Sequence, residues 1–138
     1  MADQIHLQIV TAGGVVFDRM VREITVPVDG GTIGILANHA PLMGAVTDGV
    51  VTCRSDDGED TVAVGIGVLS VVQNEVNILA RAAEIAEDID VARAEAAEKR
   101  ARARLAQKAS DLDAARAEAA LHRAIARQNA AHMAKKHR

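Results

Sequence analysis

Aromatic side chains are nearly missing from this 138-residue chain: Phe17 stands alone, with no tryptophan and no tyrosine. Without stacking platforms, single-strand nucleic-acid binding and sugar-ring recognition are poor readings. Cysteine is represented once, by Cys53, so no intrachain disulfide can form and a reducing compartment is expected. Excess positive charge is also lacking. The net charge of −3 argues against a dedicated nucleic-acid binder. The most apolar stretch, Ala63 to Val72, falls far short of the roughly 18–20 residues that span a bilayer. The first residues, MADQIHLQIV, hold no basic segment followed by an apolar run, so no secretory signal is expected. Membrane association is then expected only through a partner.

Glycine and proline are absent from the second half. All ten glycines lie at or before Gly67, and the prolines are Pro27 and Pro41. After Leu79 the chain turns to Ala, Glu, Arg and Lys. The switch predicts an α+β protein in two parts: an N-terminal antiparallel β-sandwich over residues 1–83, then a C-terminal antiparallel two-helix hairpin over 88–138. Ile5, Leu7 and Ile9 alternate with His6, Gln8 and Val10. Ile24, Val26 and Val28 alternate with Thr25 and Pro27. Val62 to Val68 and Val76 to Ala80 repeat the pattern. Period 2 with β-branched residues means half-buried strands. Turn signals separate them at Gly13-Gly14, Asp29-Gly30-Gly31, Asp48-Gly49, Asp57-Gly58 and Gln73-Asn74. Pro27 has no N–H for a ladder, so its strand is expected at an edge or ending there.

The helices are expected at about 89–108 and 111–136. Asp88 is the candidate cap of the first, and Ser110 with Asp113 resembles a capping box for the second. A gap of two or three residues forces an antiparallel hairpin. Its large apolar residues are few, among them Ile89, Leu105, Leu121 and Ile125, and alanine fills the rest. Alanine favours helix but buries little area, so the hairpin should form readily and dock weakly. Charge divides at the same boundary. Residues 1–83 hold four Lys/Arg against ten Asp/Glu, net −6, while residues 84–138 hold twelve against nine, net +3. A basic arm on an acidic base is suited to an anion or an acidic surface.

Constellations for chemistry are sparse. The five histidines show no H-x-x-x-H pair, and no C-x-x-C exists, so no metal site is expected. No serine lies in G-x-S-x-G and no G-x-x-x-x-G-K-[ST] loop occurs. Gly65-x-Gly67 lacks a third glycine and reads as strand packing. These absences argue against an enzyme. The arginines are more informative. Arg93 and Arg100 are seven apart, and Arg123 and Arg127 four apart, so each pair shares a helix face. A turn near Ala109–Ser110 sets Arg93 opposite Ala126 and Arg127, and Arg100 about one turn from Arg123. Four guanidiniums so crowded call for carboxylates, such as Asp90 and Glu84, or for a bound polyanion. The rival reading is a set of solvated faces on alanine-rich helices.

The residues quoted next carry a family resemblance. Gly34-Ile35-Leu36-Ala37-Asn38-His39-Ala40-Pro41-Leu42 is similar to a G-I-L-x-x-H-A-P-L segment. Gly65-Ile66-Gly67-Val68-Leu69-Ser70-Val71, Asn77-Ile78-Leu79-Ala80 and Asp88-Ile89-Asp90-Val91-Ala92-Arg93-Ala94 extend the likeness along nearly the whole chain. The sequence resembles the epsilon subunits of bacterial F-type ATP synthases. That resemblance implies a β-sandwich followed by a helical hairpin, and no catalytic residues. It implies that Ile35, Asn38, His39, Ala40, Pro41 and Leu42 form a partner-docking loop facing the gamma subunit and the ring of c subunits. Family members often carry glutamate after the glycine pair, where this chain has Thr32. It further implies an ATP site in the folded hairpin, from the I/L-D-x-x-R-A motif at Ile89, Asp90, Arg93 and Ala94, with Glu84, Arg100, Arg123 and Arg127 accompanying.

No cofactor is required on this reading; ATP is a regulatory ligand. The hairpin, when extended, would meet the alpha/beta catalytic head and resist hydrolysis. The chain would sit peripherally at the cytoplasmic face of the bacterial plasma membrane, held there through the complex. The alternative is a passive β-adaptor with a helical oligomerisation arm, although no sustained heptad of large residues supports it.

Overall fold

The computed structural model describes residues 4–107 and 111–136. Ten strands come first: β1 Ile5–Thr11, β2 Gly14–Val21, β3 Glu23–Val28, β4 Gly31–Leu36, β5 Leu42–Val46, β6 Gly49–Ser55, β7 Gly58–Val64, β8 Gly67–Val72, β9 Glu75–Ala80 and β10 Ala83–Ile85. They form two five-stranded sheets, ordered β2-β1-β9-β8-β5 and β10-β7-β6-β3-β4. We call these sheet A and sheet B. A short 3-10 turn, Ala86–Asp88, leads to helices α1, Val91–Ala106, and α2, Asp111–Lys136. The fold is thus the sandwich followed by two helices that the sequence predicts.

Alternation explains the core. Ile5, Leu7 and Ile9 on β1 are fully buried, as are Ile24 and Val26 on β3, Leu69 on β8, and Val76 and Ile78 on β9. They meet between the sheets with Phe17, Val21, Ile35, Val51 and Val62. One pairing departs from the antiparallel expectation: β1 runs parallel to β9, with Leu7 beside Val76 and Ile9 beside Ile78. The chain visits sheet B repeatedly before returning, so a hairpin does not constrain that pair's direction.

The run from Val62 to Val68 is not one strand but two, β7 in sheet B and β8 in sheet A. At the corner, Gly65 N–H donates to Ala82 O at 2.8 Å and Ile66 N–H to Asp48 Oδ1 at 3.1 Å. Gly67 has no alternative residue there, because a Cβ would lie 2.1 Å from the carbonyl oxygen of Leu79. This close approach is the strand packing expected of Gly65-x-Gly67. Pro27 lies on an interior strand, since β3 sits between β6 and β4. The β3–β6 register ends at Thr25, however, so Pro27 stands beyond that ladder and its missing N–H breaks nothing there.

The outer faces of the two sheets differ. On sheet B, residues Thr61 to Val64 are all buried, including the outward-facing Ala63. Ala63 packs with Ala130 and Ala131 of α2 and with Ala86 and Ile89 from the linker. The hairpin therefore covers sheet B through alanine-sized contacts. Among the described residues, no helix covers sheet A in this way.

Helix α1 starts two residues later than expected. Asp90, not Asp88, is its cap, accepting from the Arg93 N–H at 3.0 Å. Ile89 stays extended and buries its side chain in the linker cluster, which delays the first turn. The Ser110 capping box lies outside the described residues.

Candidate functional site

Two regions stand out: a groove between the helices, and the open face of sheet A with its adjoining loop. The groove begins with a repeat. Residues 97–104 read Ala97-x-x-Arg100-Ala101-x-x-Arg104, and residues 120–127 read Ala120-x-x-Arg123-Ala124-x-x-Arg127. Spacings of three and four place each set on one helix face. Both sets line a single open groove of about 550 Å³, closed at one end by Ala82 and Glu84. Alanine lets the helices approach closely, with Ala101 and Ala124 buried and Ala94 and Ala117 beside them in the seam. Arginine then rims what alanine leaves open. The volume falls within the range of about 300–1,000 Å³ typical of small-molecule sites.

Charge in the groove is lopsided, with four guanidiniums against one carboxylate. Glu84 is engaged by Arg127, whose Nε donates to Oε2 at 2.9 Å and Nη2 to Oε1 at 3.4 Å. Among the described residues, no carboxylate pairs with Arg100, Arg104 or Arg123. At the Glu84 end the groove joins a smaller crevice of about 90 Å³, where Ala63, Val64, Ala82, Ala83 and Ala126 stand beside the shared Glu84, Arg123 and Arg127. The whole is a cationic trough with an apolar end, suited to an anion that carries an apolar group.

Of the sequence-predicted ATP residues, Glu84, Arg100, Arg123 and Arg127 come together here. The motif residues do not line the groove. Ile89 is buried under α2, Asp90 caps α1, and Ala94 is fully buried. Arg93 is exposed, its backbone N–H held by Asp90. Arg104 was missed. Its signal was the second copy of the Ala-x-x-Arg repeat, visible in the sequence but readable only once the two helix faces were known to converge.

The second region starts with the loop between β4 and β5. Asn38 and Asn74 clasp each other across it: the Asn38 N–H donates to Asn74 Oδ1 at 2.6 Å, and Asn74 Nδ2 to Asn38 Oδ1 at 3.3 Å. Both adopt positive φ, 64° and 63°, which asparagine tolerates. His39 Nδ1–H donates to Ala40 O at 2.7 Å, which sets the ring's position and tautomer. Asn38, Ala40 and Pro41 are exposed and His39 is half-buried. Ile35 needs correction as a docking residue. Strand alternation turns it into the core, fully buried, and leaves its neighbour Leu36 outside at 60% exposure. Leu42 likewise packs partly against the core.

Among the described residues, six of the eight exposed large apolar side chains lie on the outer face of sheet A: Val15, Met20, Met43, Val68, Val72 and Leu79. Register aligns a continuous apolar row across all five strands, from Val15 through Val10, Leu79 and Val68 to Ala45. Leu79 is 59% and Val15 57% exposed. A contiguous apolar row of this kind marks an interaction face. Toward the Asn74 end, His6 bridges two carboxylates, with Nε2 2.6 Å from Asp18 Oδ1 and Nδ1 2.8 Å from Glu75 Oε2. Those hydrogen bonds raise its pKa above the ordinary 6.5. Cys53 is inert by contrast: burial pushes its thiol up to about 12.

Comparison with known proteins decides the family. A family model described as ATP synthase, Delta/Epsilon chain, beta-sandwich domain matches residues 4–86. Its companion, the long alpha-helix domain, matches residues 87–132. The chain belongs to the ATP synthase delta/epsilon family. Among curated members, the ATP synthase epsilon chain of Priestia megaterium is 44% identical over 97 residues, 70% of this chain and 72% of that one. The epsilon chain of Bacillus subtilis is 41% identical over 98 residues, 71% and 74% of the two chains. That of Streptomyces avermitilis is 38% identical over 103 residues, 74% and 83%. Among solved structures, a chain of the Euglena gracilis mitochondrial ATP synthase superposes with a TM-score of 0.79 at 22% identity, over 99% of this chain and 84% of that one. At that identity the likeness speaks to the family fold, and the apolar row and arginine groove are read from this chain's own residues.

Proposed function

We propose that the chain is a non-catalytic central-stalk subunit of a proton-translocating F-type ATP synthase. In this role the sandwich joins gamma to the c ring, and the hairpin senses ATP and restrains ATP hydrolysis. Family membership supports the first part. The observation that carries the docking role is the contrast between the faces: sheet B is covered by the chain's own hairpin, while sheet A offers an uncovered apolar row. That row is the surface for gamma, and the clasped loop around Asn38 and His39 faces the rotor ring. Among the described residues no helix is long and apolar enough to cross a membrane. On this reading, attachment to the cytoplasmic face of the bacterial plasma membrane runs through the complex.

The arginine groove supports ATP sensing. A triphosphate relieves the mutual repulsion of the guanidiniums only while the helices lie together, so ATP favours the docked hairpin. Its leverage is RT ln(1 + [L]/Kd), set entirely by its preference for that state. Released along gamma, the basic arm would reach acidic surfaces of the alpha/beta head.

The test has two arms. Val68→Asp with Leu79→Asp should abolish binding to purified gamma while leaving the circular dichroism unchanged; undiminished binding would reject the docking face. Arg123→Ala with Arg127→Ala should abolish ATP-induced compaction of the whole chain in X-ray scattering. Unchanged calorimetric affinity for ATP in that double variant discards the nucleotide site.

A further inference from the structure

The groove repeat has two ends that are not equivalent. The helices run antiparallel, so Arg127 of α2 and Arg104 of α1 occupy opposite ends of the arginine row, with Arg123 and Arg100 between. Each four-residue step advances about 6 Å along its helix, and with Arg123 and Arg100 about one turn apart the row extends over roughly 17 Å. Arg127 already has its carboxylate, Glu84, and the apolar crevice lies at that same end. Arg104 is exposed and, among the described residues, has no carboxylate partner.

We propose that Arg104 is a specificity-determining residue that reads the length of a nucleotide's phosphate chain, contacting the third phosphate and not the second. The inference rests on the nucleotide reading above and deepens it. The polarity of the groove carries the argument. An apolar group finds apolar walls at the Glu84 end, where Ala63, Val64, Ala82 and Ala83 stand beside Glu84, Arg123 and Arg127, whereas the far end offers only arginine between helix alanines. A ligand seated this way runs its phosphates away from the sheet. Arg123 and Arg100 meet the near phosphates, which mono-, di- and triphosphates share. Only the longest chain reaches the distal guanidinium. A fork of N–H donors there suits a terminal phosphate, which presents the most charge and the most free oxygens.

Arg102, on the same helix, supplies a matched control. It is exposed, pairs with Glu98, and does not line the groove.

Isothermal titration of the full chain with ATP and with ADP tests the proposal, on the unaltered protein, Arg104→Ala, Arg104→Lys and Arg102→Ala. Arg104→Ala should weaken ATP about tenfold or more and ADP less than about twofold, shrinking the preference for ATP. This scale is expected for loss of one charge-assisted contact. Arg104→Lys should recover part of the loss, and Arg102→Ala should change neither ligand. Equal weakening of ATP and ADP, or no weakening of ATP, overturns the assignment while the unaltered chain still binds ATP. Failure of the unaltered chain to bind either nucleotide is a different result: it overturns the nucleotide reading and this inference with it. Helix content is followed by circular dichroism, and because Arg104 is exposed its truncation leaves the fold intact.

Discussion

Arg127 and Glu84, 43 residues apart, form a two-pronged ion pair that ties helix α2 to strand β10. Both groups are partly buried, at 25% and 35% side-chain exposure, and the rest of the hairpin rests on alanines. The pair therefore carries a large share of a weak attachment. Glu84→Gln should loosen the hairpin by about 1 kcal/mol, in line with a partly screened pair. Amide exchange in α2 should accelerate several-fold while β-sheet amides keep their protection. Uniform acceleration in both regions would mean that the pair stabilises the whole fold and not the hairpin alone.

Gly67→Ala should destabilise the sandwich by roughly 3 kcal/mol, the upper part of the range for overpacking. The new methyl would press on the carbonyl of Leu79, which is backbone and cannot rotate away. Gly34→Ala, with nothing within 4 Å of its Cβ, is the control and should change the urea midpoint little. Similar midpoints for both variants would refute the steric account.

Neighbouring residues on β9 should respond in opposite ways. Ile78 is fully buried, so Ile78→Ala should cost about 2–5 kcal/mol in urea unfolding. Leu79 is exposed, so Leu79→Ser should stay within about 0.5 kcal/mol for the isolated chain. Its effect should appear only in partner binding. A large loss of stability from Leu79→Ser would show that the outer row serves the fold itself.

The His6 bridge predicts a pH dependence with a definite sign. Its pKa is raised in the folded state by Asp18 and Glu75, the hydrogen bond to Asp18 contributing most. A raised pKa stabilises the fold fully below about 6.5, the unfolded value, and that contribution fades as pH climbs through the folded value. His6→Gln should thus lower the urea midpoint at about pH 5.5 and lower it less at about pH 9. A deficit that is constant, or that grows with pH, contradicts the bridge.

Cys53 should resist alkylation. Its thiol is buried and its pKa stands near 12, so almost no thiolate exists at neutral pH. Iodoacetamide should modify the unfolded chain readily and the native chain only at the rate of opening. Fast labelling of native protein would mean that strand β6 frays.

Much of the fold was legible before any coordinates, and the reasons are local. Alternation of Ile5, Leu7 and Ile9 with His6 and Gln8 follows from the two-residue period of a strand, which needs no knowledge of the partner strand. The loss of glycine and proline after Gly67 and the abundance of alanine mark helices through backbone preference alone. Less was legible where an outcome depends on what packs across space. Val62 to Val68 reads as one strand, because period 2 continues through a corner that only the Gly65 and Ile66 hydrogen bonds create. Asp88 and Asp90 are equally good caps in sequence, and burial of Ile89 selects the second. The spacing of Arg123 and Arg127 is visible, but Arg93 reads with them because a seven-residue spacing gives Arg93 and Arg100 a shared face and says nothing about how far along that face the groove extends.

Residue order alone settled that strands come first and helices second, which side of β1, β3 and β9 is oily, and which half of the chain is basic. Each is a property of a few consecutive residues. Tertiary structure alone decided that β1 runs parallel to β9, that sheet B is covered while sheet A is bare, and that Arg104 joins the groove in place of Arg93. Those outcomes turn on the relative placement of segments tens of residues apart, where a shift of one helix along its neighbour changes which side chains meet.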